Sequence, residues 1–211
     1  MSPGGFLRGV LLGCFSDPPC SSWSIARHGP LGSLWGPLRS RECIMGIPGL
    51  PPRDVAKIEL GNATMMHTAR TVRQCLAFGV PAVLENPASS RLFHAPPLAA
   101  LIRRPTCQQV VLDLCQFGAP WRKHTKLACW LVAADSAEVG RVCKGKHGVC
   151  SRTMEPHFVL EGPKRTKAAQ EYPLKFAFSV SKFLIRSFEQ RRFYATQRFS
   201  GAALRPDKQV W

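Results

Sequence analysis

Two residues that could attack or protonate an electrophile each follow a short apolar run. Cys20 closes a Pro-Pro-Cys turn after the run Leu7–Cys14, and Glu85 and Asn86 follow the run Val80–Leu84. A cysteine thiolate is intrinsically nucleophilic, and positive neighbours stabilise it. A carboxyl group in a partly dry pocket has a raised pKa and can act as an acid toward a ring nitrogen. The pair therefore suggests nucleophilic addition assisted by a proton donor.

Each of these signals also has a plainer interpretation. The Pro-Pro-Cys turn could be a rigid corner around a packed thiol, and Glu85-Asn86-Pro87 could begin a loop and cap the next helix. Taken singly, neither pattern separates chemistry from structure.

The elements around these residues predict an α/β fold. The four short apolar runs read as strands that are covered on both faces, namely Leu7–Cys14, Val80–Leu84, Gln109–Cys115 and Leu127–Ala133. Helical spacing over Asn62–Phe78, with Asn62 as N-cap and Gly79 as the stop, connects the first two strands. A strand, a helix and a strand predict a right-handed parallel crossover. Cys20 and Glu85 should then leave neighbouring parallel strands and face one cleft wide enough for a pyrimidine.

In this order, Pro19-Cys20 and Glu85-Asn86 resemble the Pro-Cys and Glu-Asn motifs of the cytosine-5 DNA methyltransferases. The segment Phe117–Lys123 is similar to the family's Tyr-Gly-Val-Pro-Gln-x-Arg segment. Further residues echo those that follow the family's cysteine, namely Ser24, Ala26, Gly36, Leu38 and Arg39. The resemblance extends over residues 6–133. It implies a partial Rossmann-like methyltransferase sheet, mostly parallel and flanked by helices.

The resemblance also implies a chemistry for these residues. Cys20 would add to C6 of cytosine, Glu85 would hydrogen-bond or protonate N3, and Arg122 would anchor the base. C5 would then take a methyl group from S-adenosylmethionine, with the target base held out of the stack. The implied substrate or DNA contacts are Ser24, Arg27, Arg39, Asn86, Lys123 and Lys126. For the lysines, phosphate contacts and a merely solvated basic face are both open.

Departures from the family pattern bear on activity. The family's Gly-rich donor loop precedes the cysteine motif, and nothing before Cys20 matches it. Pro87 stands where the family has Val, and Trp121 stands where it has Gln. We therefore expect this chain to be inactive alone, because the N-terminal half that would bind S-adenosylmethionine is either encoded as a separate polypeptide or lost. The alternative is a non-catalytic nucleic-acid-binding protein that retains the fold remnant.

A Cys/His/Gly-rich segment lies further along the chain and predicts a zinc site. Its candidate ligands are Cys143, His147, Cys150 and His157. Thiolates and imidazoles at such spacings can close a tetrahedral site whose apparent binding free energy of about 10–16 kcal/mol supports folding. The plain alternative is a Gly-rich loop with scattered Cys and His. A third hypothesis is a zinc-stabilised module without a stable fold in the absence of metal.

Composition favours a polyanionic partner. The net charge is +16 with 29 Lys and Arg residues against 13 Asp and Glu residues, which suits nucleic acid, with DNA preferred. A basic tail that only solvates the protein is the competing interpretation. Nine cysteines at irregular spacings indicate a reducing compartment. No segment approaches the roughly 20 apolar residues of a membrane span, so a soluble protein is expected, nuclear if DNA is the partner.

Four regions are expected along the chain. Residues 1–135 form the catalytic half, with a long loop at Pro30–Pro52 and a short helix at Pro97–Arg104. A Cys/His segment follows over 136–166, then a C-terminal helix over 167–192 and a basic tail over 193–211.

Overall fold

The computed structural model describes residues 11–25, 36–160 and 167–202. Several sequence predictions fall outside these ranges. They are Arg27, Ala26, most of the first predicted strand (residues 7–10), the first part of the Pro30–Pro52 loop and the end of the tail (residues 203–211).

A mixed four-stranded sheet forms the centre of the described fold. Its strands are β1 (Cys14–Ser16), β2 (Ala82–Pro87), β3 (Cys107–Asp113) and β4 (His124–Trp130). The spatial order is β1-β2-β4-β3. β1 pairs with β2 in parallel, whereas β4 is antiparallel to both of its neighbours. The α/β class is confirmed, but the expectation of a mostly parallel sheet is wrong.

The link between β3 and β4 explains the reversal. Residues 114–123 contain only a short 3₁₀ turn, Leu114–Phe117. Parallel neighbours need a crossover of a dozen or more residues, usually containing a helix, whereas antiparallel neighbours accept a short connection. β4 therefore turns back and pairs beside β3, with Asp113 opposite His124.

Among the described residues, three α-helices flank the sheet, namely α1 (Pro52–Ala77), α2 (Pro96–Ile102) and α3 (Leu174–Ala202). α1 begins ten residues before the predicted N-cap Asn62, because a proline is well placed in a first helical turn. Asn62 instead lies inside the helix. α1 ends as predicted near Gly79, whose φ is +68°. α3 begins after Pro173 and continues through the predicted boundary at 192/193 into what was expected to be tail.

Two apolar layers sandwich the sheet. On one face, α1 and α2 pack against a cluster that includes Met65, Leu84, Leu98 and Trp130. On the other face, α3 packs through Phe176 and Phe183 against side chains that include Val83, Leu112 and Leu127. The sheet is thus covered on both faces, which accounts for the short apolar runs within β2 and β4.

The strands are displaced from the apolar runs that predicted them. β2 continues through Glu85 and Asn86, which pair with Leu127 and Lys126 of β4. Hydrogen bonding of the ladder does not depend on side-chain polarity, so the strands continue into polar residues at this edge of the sheet. The polar ends of β2 and β4 consequently lie side by side. Within the described residues, no helix has the length and apolarity that crossing a membrane would require.

Candidate functional site

The turn that carries Cys20 is fastened to the end of β2. The Asn86 amide Nδ2 donates a buried hydrogen bond of 2.9 Å to the carbonyl oxygen of Pro18. The carbonyl oxygen of Cys20 accepts hydrogen bonds from the amides of Trp23 and Ser24, at 2.9 and 2.8 Å. These contacts form a tight turn and hold it beside Asn86, so the turn and the strand end form one unit.

Arg39 braces this turn from inside the protein. Its guanidinium carbon lies 3.3 Å from the centroid of the Trp23 ring, and its Nη2 donates to the hydroxyl of Ser22 at 3.1 Å. Nη1 donates to Asn62 Oδ1 at 2.8 Å, and the carbonyl oxygens of Ser22, Ile44 and Ile58 accept the remaining bonds. Burial lowers the pKa of Arg39 to about 10. The predicted DNA contact by Arg39 is therefore corrected, because only 3% of this residue is exposed and its donors are used internally.

Glu85 is held between a lysine and a tyrosine. The Tyr172 hydroxyl donates a 2.7 Å hydrogen bond to Oε2, and Lys123 Nζ lies 3.7 Å from Oε1. The lysine contact is an ion pair that is too long for a hydrogen bond. Burial raises the pKa of Glu85, while Lys123 and the Tyr172 hydrogen bond act in the opposite direction. The balance favours the protonated carboxyl group more than in water.

The charges of Lys123 and Glu85 also affect the pKa of Cys20. Burial raises the pKa of the Cys20 thiol, the positive charge of Lys123 lowers it and the negative charge of Glu85 raises it again. The sulfur, the carboxyl group and the ammonium group therefore lie within electrostatic reach of one another. We call Cys20, Glu85, Lys123 and Tyr172 the strand-end site.

The strand-end site is closed by its own side chains. Glu85 is only 3% exposed, so the open cleft expected between Cys20 and Glu85 is not present. A groove of about 460 Å³ passes Pro18 and Pro19 but runs toward α1, away from the carboxyl group. Glu85 Oε1 and Asn86 Oδ1 are buried without a hydrogen-bond donor. Buried acceptors are normally satisfied, so each of these oxygens could receive an N–H donor from a ligand, although consecutive strand residues direct the two side chains to opposite faces of the sheet.

Arg122 and Lys126, also predicted at the site, have other partners. Arg122 Nε forms an ion pair with Asp113 at 3.2 Å, and its Nη2 donates to the carbonyl oxygen of Cys143 at 3.3 Å. Lys126 Nζ lies 5.0 Å from the centroid of the Phe93 ring. Lys123, expected to meet phosphate, is the cation that contacts Glu85. The contacts of Arg122 thus lie with the Cys/His segment.

Asp113 organises that second region. Burial raises its pKa, but hydrogen bonds from the Cys143 amide, His124 and Arg122 outweigh burial and lower the pKa below its usual value. The Cys143 amide donates to Oδ2 at 2.8 Å, and His124 Nδ1 lies 2.9 Å from Oδ1. The carboxylate therefore joins the end of β3 to the Cys/His segment.

Four potential metal ligands gather next to Asp113. Cys115, Cys143, Cys150 and His157 place their donor atoms within 4.8 Å of one another. This Cys3His cluster could hold a metal ion such as zinc. The predicted ligand His147 is not a member; it is exposed and sits in a turn with φ of +51°. Cys115, which the sequence assigned to a strand, takes its place.

Two residues of these candidate sites are not predicted from the sequence. Tyr172 was recognised only as the start of an apolar stretch, and Cys115 only as the end of a buried strand. Their partners are far away in sequence, so no local spacing marks them. A cysteine followed by the polar Gln116 at a strand terminus was the one available hint for a ligand.

Comparison with known proteins adds no relative. No protein-family model, no curated protein and no solved structure matches the chain. Any functional assignment therefore depends on the geometry of the strand-end site and the Cys3His cluster.

Proposed function

We propose that the strand-end site is the catalytic half of a cytosine-5 DNA methyltransferase-like domain, in which Cys20 adds to a pyrimidine and Glu85 protonates it. One observation carries the proposal: Asn86, next to Glu85 at the end of β2, is hydrogen-bonded to the turn that bears Cys20 after the parallel neighbour β1. The charges of Glu85 and Lys123 also act on the pKa of the Cys20 thiol. The raised pKa of Glu85 suits a proton donor.

The step can be written with its atoms in balance. The Cys20 sulfur bonds to C6 of cytosine and releases its proton to solvent. The C5–C6 π electrons shift through the ring to N3, which takes the proton of Glu85. The product is an enamine whose C5 is nucleophilic. Lys123 stabilises the thiolate that begins the step and the carboxylate that ends it, because its positive charge lowers the pKa of Cys20 and it forms an ion pair with Glu85.

A ligand must displace one of the side chains that now cover the carboxyl group of Glu85. The Tyr172 hydroxyl occupies Oε2 of Glu85, while Oε1 of Glu85 and Oδ1 of Asn86 lack donors. A cytosine presents an amino group at C4 and, once protonated, an N3–H, which are two adjacent donors for the two oxygens of the Glu85 carboxylate. The match in hydrogen-bond polarity supports a pyrimidine as ligand once the Tyr172 side chain moves.

S-adenosylmethionine enters the proposal only through another polypeptide. Within the described ranges, no glycine-rich turn follows a strand in the manner that a donor-binding loop requires. The residues described do not fit the donor, and we derive no step through it. A separate donor-binding chain is the partner that the proposal calls for.

Hydrogen exchange at C5 tests the addition step without any methyl donor. In D₂O the C5 of the enamine would accept a deuteron, and loss of the original proton followed by thiol elimination would return cytosine labelled at C5. Single-stranded cytosine oligonucleotides incubated with the protein should acquire this label by mass spectrometry. Cys20→Ser should abolish it, and Cys107→Ser, at another half-buried cysteine, should not. Labelling that persists in Cys20→Ser would contradict the proposal.

The second candidate function is non-catalytic binding of nucleic acid. The net charge of +16 and the burial of Glu85 favour it. Affinity would then fall steeply with salt, about a thousandfold between 50 and 200 mM if about six phosphates are contacted. In that case Cys20→Ser would bind oligonucleotides like the unchanged protein, and no C5 label would appear.

A further inference from the structure

The Cys3His cluster is assembled from separate stretches of chain. Cys115 comes from the link after β3, whereas Cys143, Cys150 and His157 come from a segment about 30–40 residues further on. The Sγ of Cys143 lies 3.8 Å from Nε2 of His157. Zinc bonds of about 2.0–2.3 Å in a tetrahedron separate the donor atoms by about 3.5–3.8 Å. The present spacing therefore needs only a small contraction around an ion.

The groups around the cluster orient its donor atoms. His157 Nδ1 is 2.9 Å from the carbonyl oxygen of Gly148, which makes it the protonated nitrogen and leaves Nε2 to face the sulfurs. The Ser151 amide donates to Cys143 Sγ at 3.4 Å. Gln116 Nε2 donates to Cys115 Sγ at 3.5 Å and to Cys150 Sγ at 3.8 Å. Such outer hydrogen bonds accompany metal ligands and fix the imidazole tautomer.

The cluster is closed and its turn is specialised. Its three cysteines are at most 3% exposed, His157 is half-buried, and four protein donors complete a tetrahedral coordination sphere. Gly145 lies in the turn between Cys143 and Cys150, where an added Cβ would come within 1.8 Å of the Val149 carbonyl oxygen. Only glycine permits this tight turn, which brings the sulfurs of Cys143 and Cys150 into the same cluster.

We propose that Cys115, Cys143, Cys150 and His157 bind one Zn²⁺ as a closed structural site that fixes the Cys/His segment across the link carrying Lys123. Binding releases the thiol protons to solvent. Three thiolates, one neutral imidazole and Zn²⁺ leave one net negative charge. Arg152, whose Nε donates to the Cys115 carbonyl oxygen at 2.7 Å, and Arg122 lie where they offset it. The inference stands apart from the strand-end chemistry, because metal binding requires no nucleic acid.

Contacts beyond the ligands connect the ion to the strand-end site. The Phe158 amide donates to the Pro120 carbonyl oxygen at 3.0 Å, and the Leu114 amide donates to the Lys123 carbonyl oxygen at 3.2 Å. The Cys/His segment therefore lies across the link between β3 and β4, immediately before Lys123. An ion that holds Cys115 to this segment also holds the backbone of that link.

Metal content of the full chain, purified under reducing conditions, tests the assignment. We expect about one zinc per chain, because a four-ligand site holds a single ion. Cys115→Ser should lose the zinc, while His147→Ala should retain it; the sequence pattern alone predicts the opposite pair. Cys107→Ser is the matched cysteine control and should keep its metal. Gln116→Ala should retain zinc with an affinity about tenfold weaker, through the lost outer hydrogen bonds.

A spectroscopic readout covers variants that fold poorly. Replacing Zn²⁺ by Co²⁺ should give sulfur-to-metal charge-transfer absorption and the strong visible bands of a tetrahedral site. His157→Cys should retain cobalt and shift these bands toward those of a four-thiolate site, since the donor set changes while the count does not. An unchanged spectrum in His157→Cys would remove His157 from the ligand set.

Three results would overturn the proposal. They are wild-type protein without zinc after growth in zinc-supplemented medium and reconstitution, zinc retained at full occupancy in Cys115→Ser, and zinc lost in His147→Ala. Removal of the metal with a chelator should also accelerate amide hydrogen exchange at Ala119 and Phe158. Unchanged exchange at both amides would contradict the structural role while leaving the strand-end chemistry untouched.

Discussion

The hydroxyl of Tyr172 donates a 2.7 Å hydrogen bond to the carboxyl group of Glu85, 87 residues earlier in the chain. The bond joins the segment before α3 to the carboxyl end of β2. Because Lys123 approaches the other carboxyl oxygen, both sides of Glu85 are covered by the protein itself. The same carboxyl group is the proton donor in the proposed chemistry, so Tyr172 occupies a position that a substrate would have to take.

Removing the tyrosine hydroxyl should raise the pKa of Glu85. Tyr172→Phe keeps the ring that packs edge-on against Phe15, with centroids 5.9 Å apart, and deletes only a hydrogen bond that stabilises the carboxylate. Titration of ¹³C-labelled glutamate side chains by NMR should show the Glu85 carboxyl resonance moving to a higher midpoint. Glu85→Gln identifies the resonance by its disappearance. A midpoint that falls in Tyr172→Phe would show that the hydroxyl does not stabilise the charged form.

The free energy of unfolding should depend on pH in part through the ionisation of Glu85. A carboxyl group whose pKa is raised by folding binds more protons folded than unfolded, so its contribution is present below its ordinary pKa of about 4.3 and is lost as pH rises through the folded-state value. Glu85→Gln cannot ionise. Its stability relative to the unchanged protein should therefore increase as the pH is raised from 4 toward 7.

Urea denaturation across this pH range measures the difference between the two proteins. The control for Glu85→Gln is Glu59→Gln, the same substitution at an exposed position of α1. A stability difference for Glu85→Gln that stays flat or declines with rising pH would mean that folding does not raise the pKa of Glu85.

The sequence predicts that Cys20 and Glu85 lie near each other, because each residue follows a short apolar run that predicts a strand. Glu85 and Asn86 end an apolar run, and Cys20 lies in a turn just after another, so placing both at one edge of the sheet required only the crossover rule. The closure of that edge was not predictable in the same way. It depends on Tyr172, whose position is set by how α3 packs on Val83 and Leu127.

For the candidate metal ligands, spacing in the sequence predicted three of the four residues that the structure brings together. Spacing selected Cys143, Cys150 and His157 together with His147, because four residues in one short segment form an obvious set. In the tertiary structure Cys115, which lies in the short link after β3, takes the place of His147 in the cluster. The reversed direction of β4 follows from that same short link, so attention to its length would have corrected the sheet as well.

Gly61 is expected to be essential for the turn that carries Cys20. In an exposed helix interior, Gly→Ala stabilises by roughly 0.5–1 kcal/mol. Here a Cβ would come within 2.2 Å of the Ser22 hydroxyl and 2.9 Å of Arg39 Nη2. Gly61→Ala should therefore destabilise, by about 1–3 kcal/mol as for other overpacked sites. Urea denaturation shows whether the substitution lowers or raises the free energy of unfolding. A higher value in Gly61→Ala would show that the turn can move to accommodate the added Cβ.

A double substitution isolates the cause. Ser22→Ala removes the closest atom, so Gly61→Ala should cost less in the Ser22→Ala background than in the unchanged protein. Equal costs in both backgrounds would assign the destabilisation to Arg39 or Trp23 instead.

Lys123 should control the reactivity of Cys20. Its positive charge opposes the burial that raises the pKa of the Cys20 thiol. Lys123→Met should raise that pKa further and reduce the thiolate fraction at a given pH, with about a fivefold or greater loss in alkylation rate for a charge at this range. Lys126→Met is the matched control, because Lys126 lies over Phe93. Iodoacetamide labelling at pH 8, followed by mass spectrometry of the Cys20 peptide, measures the rate separately from the other eight cysteines.

If Lys126→Met slows the labelling as much as Lys123→Met does, the effect comes from general surface charge. Faster labelling in Lys123→Met alone would mean that the lysine serves mainly to cover the thiol, and the thiolate-stabilising role given to Lys123 in the addition step would fall.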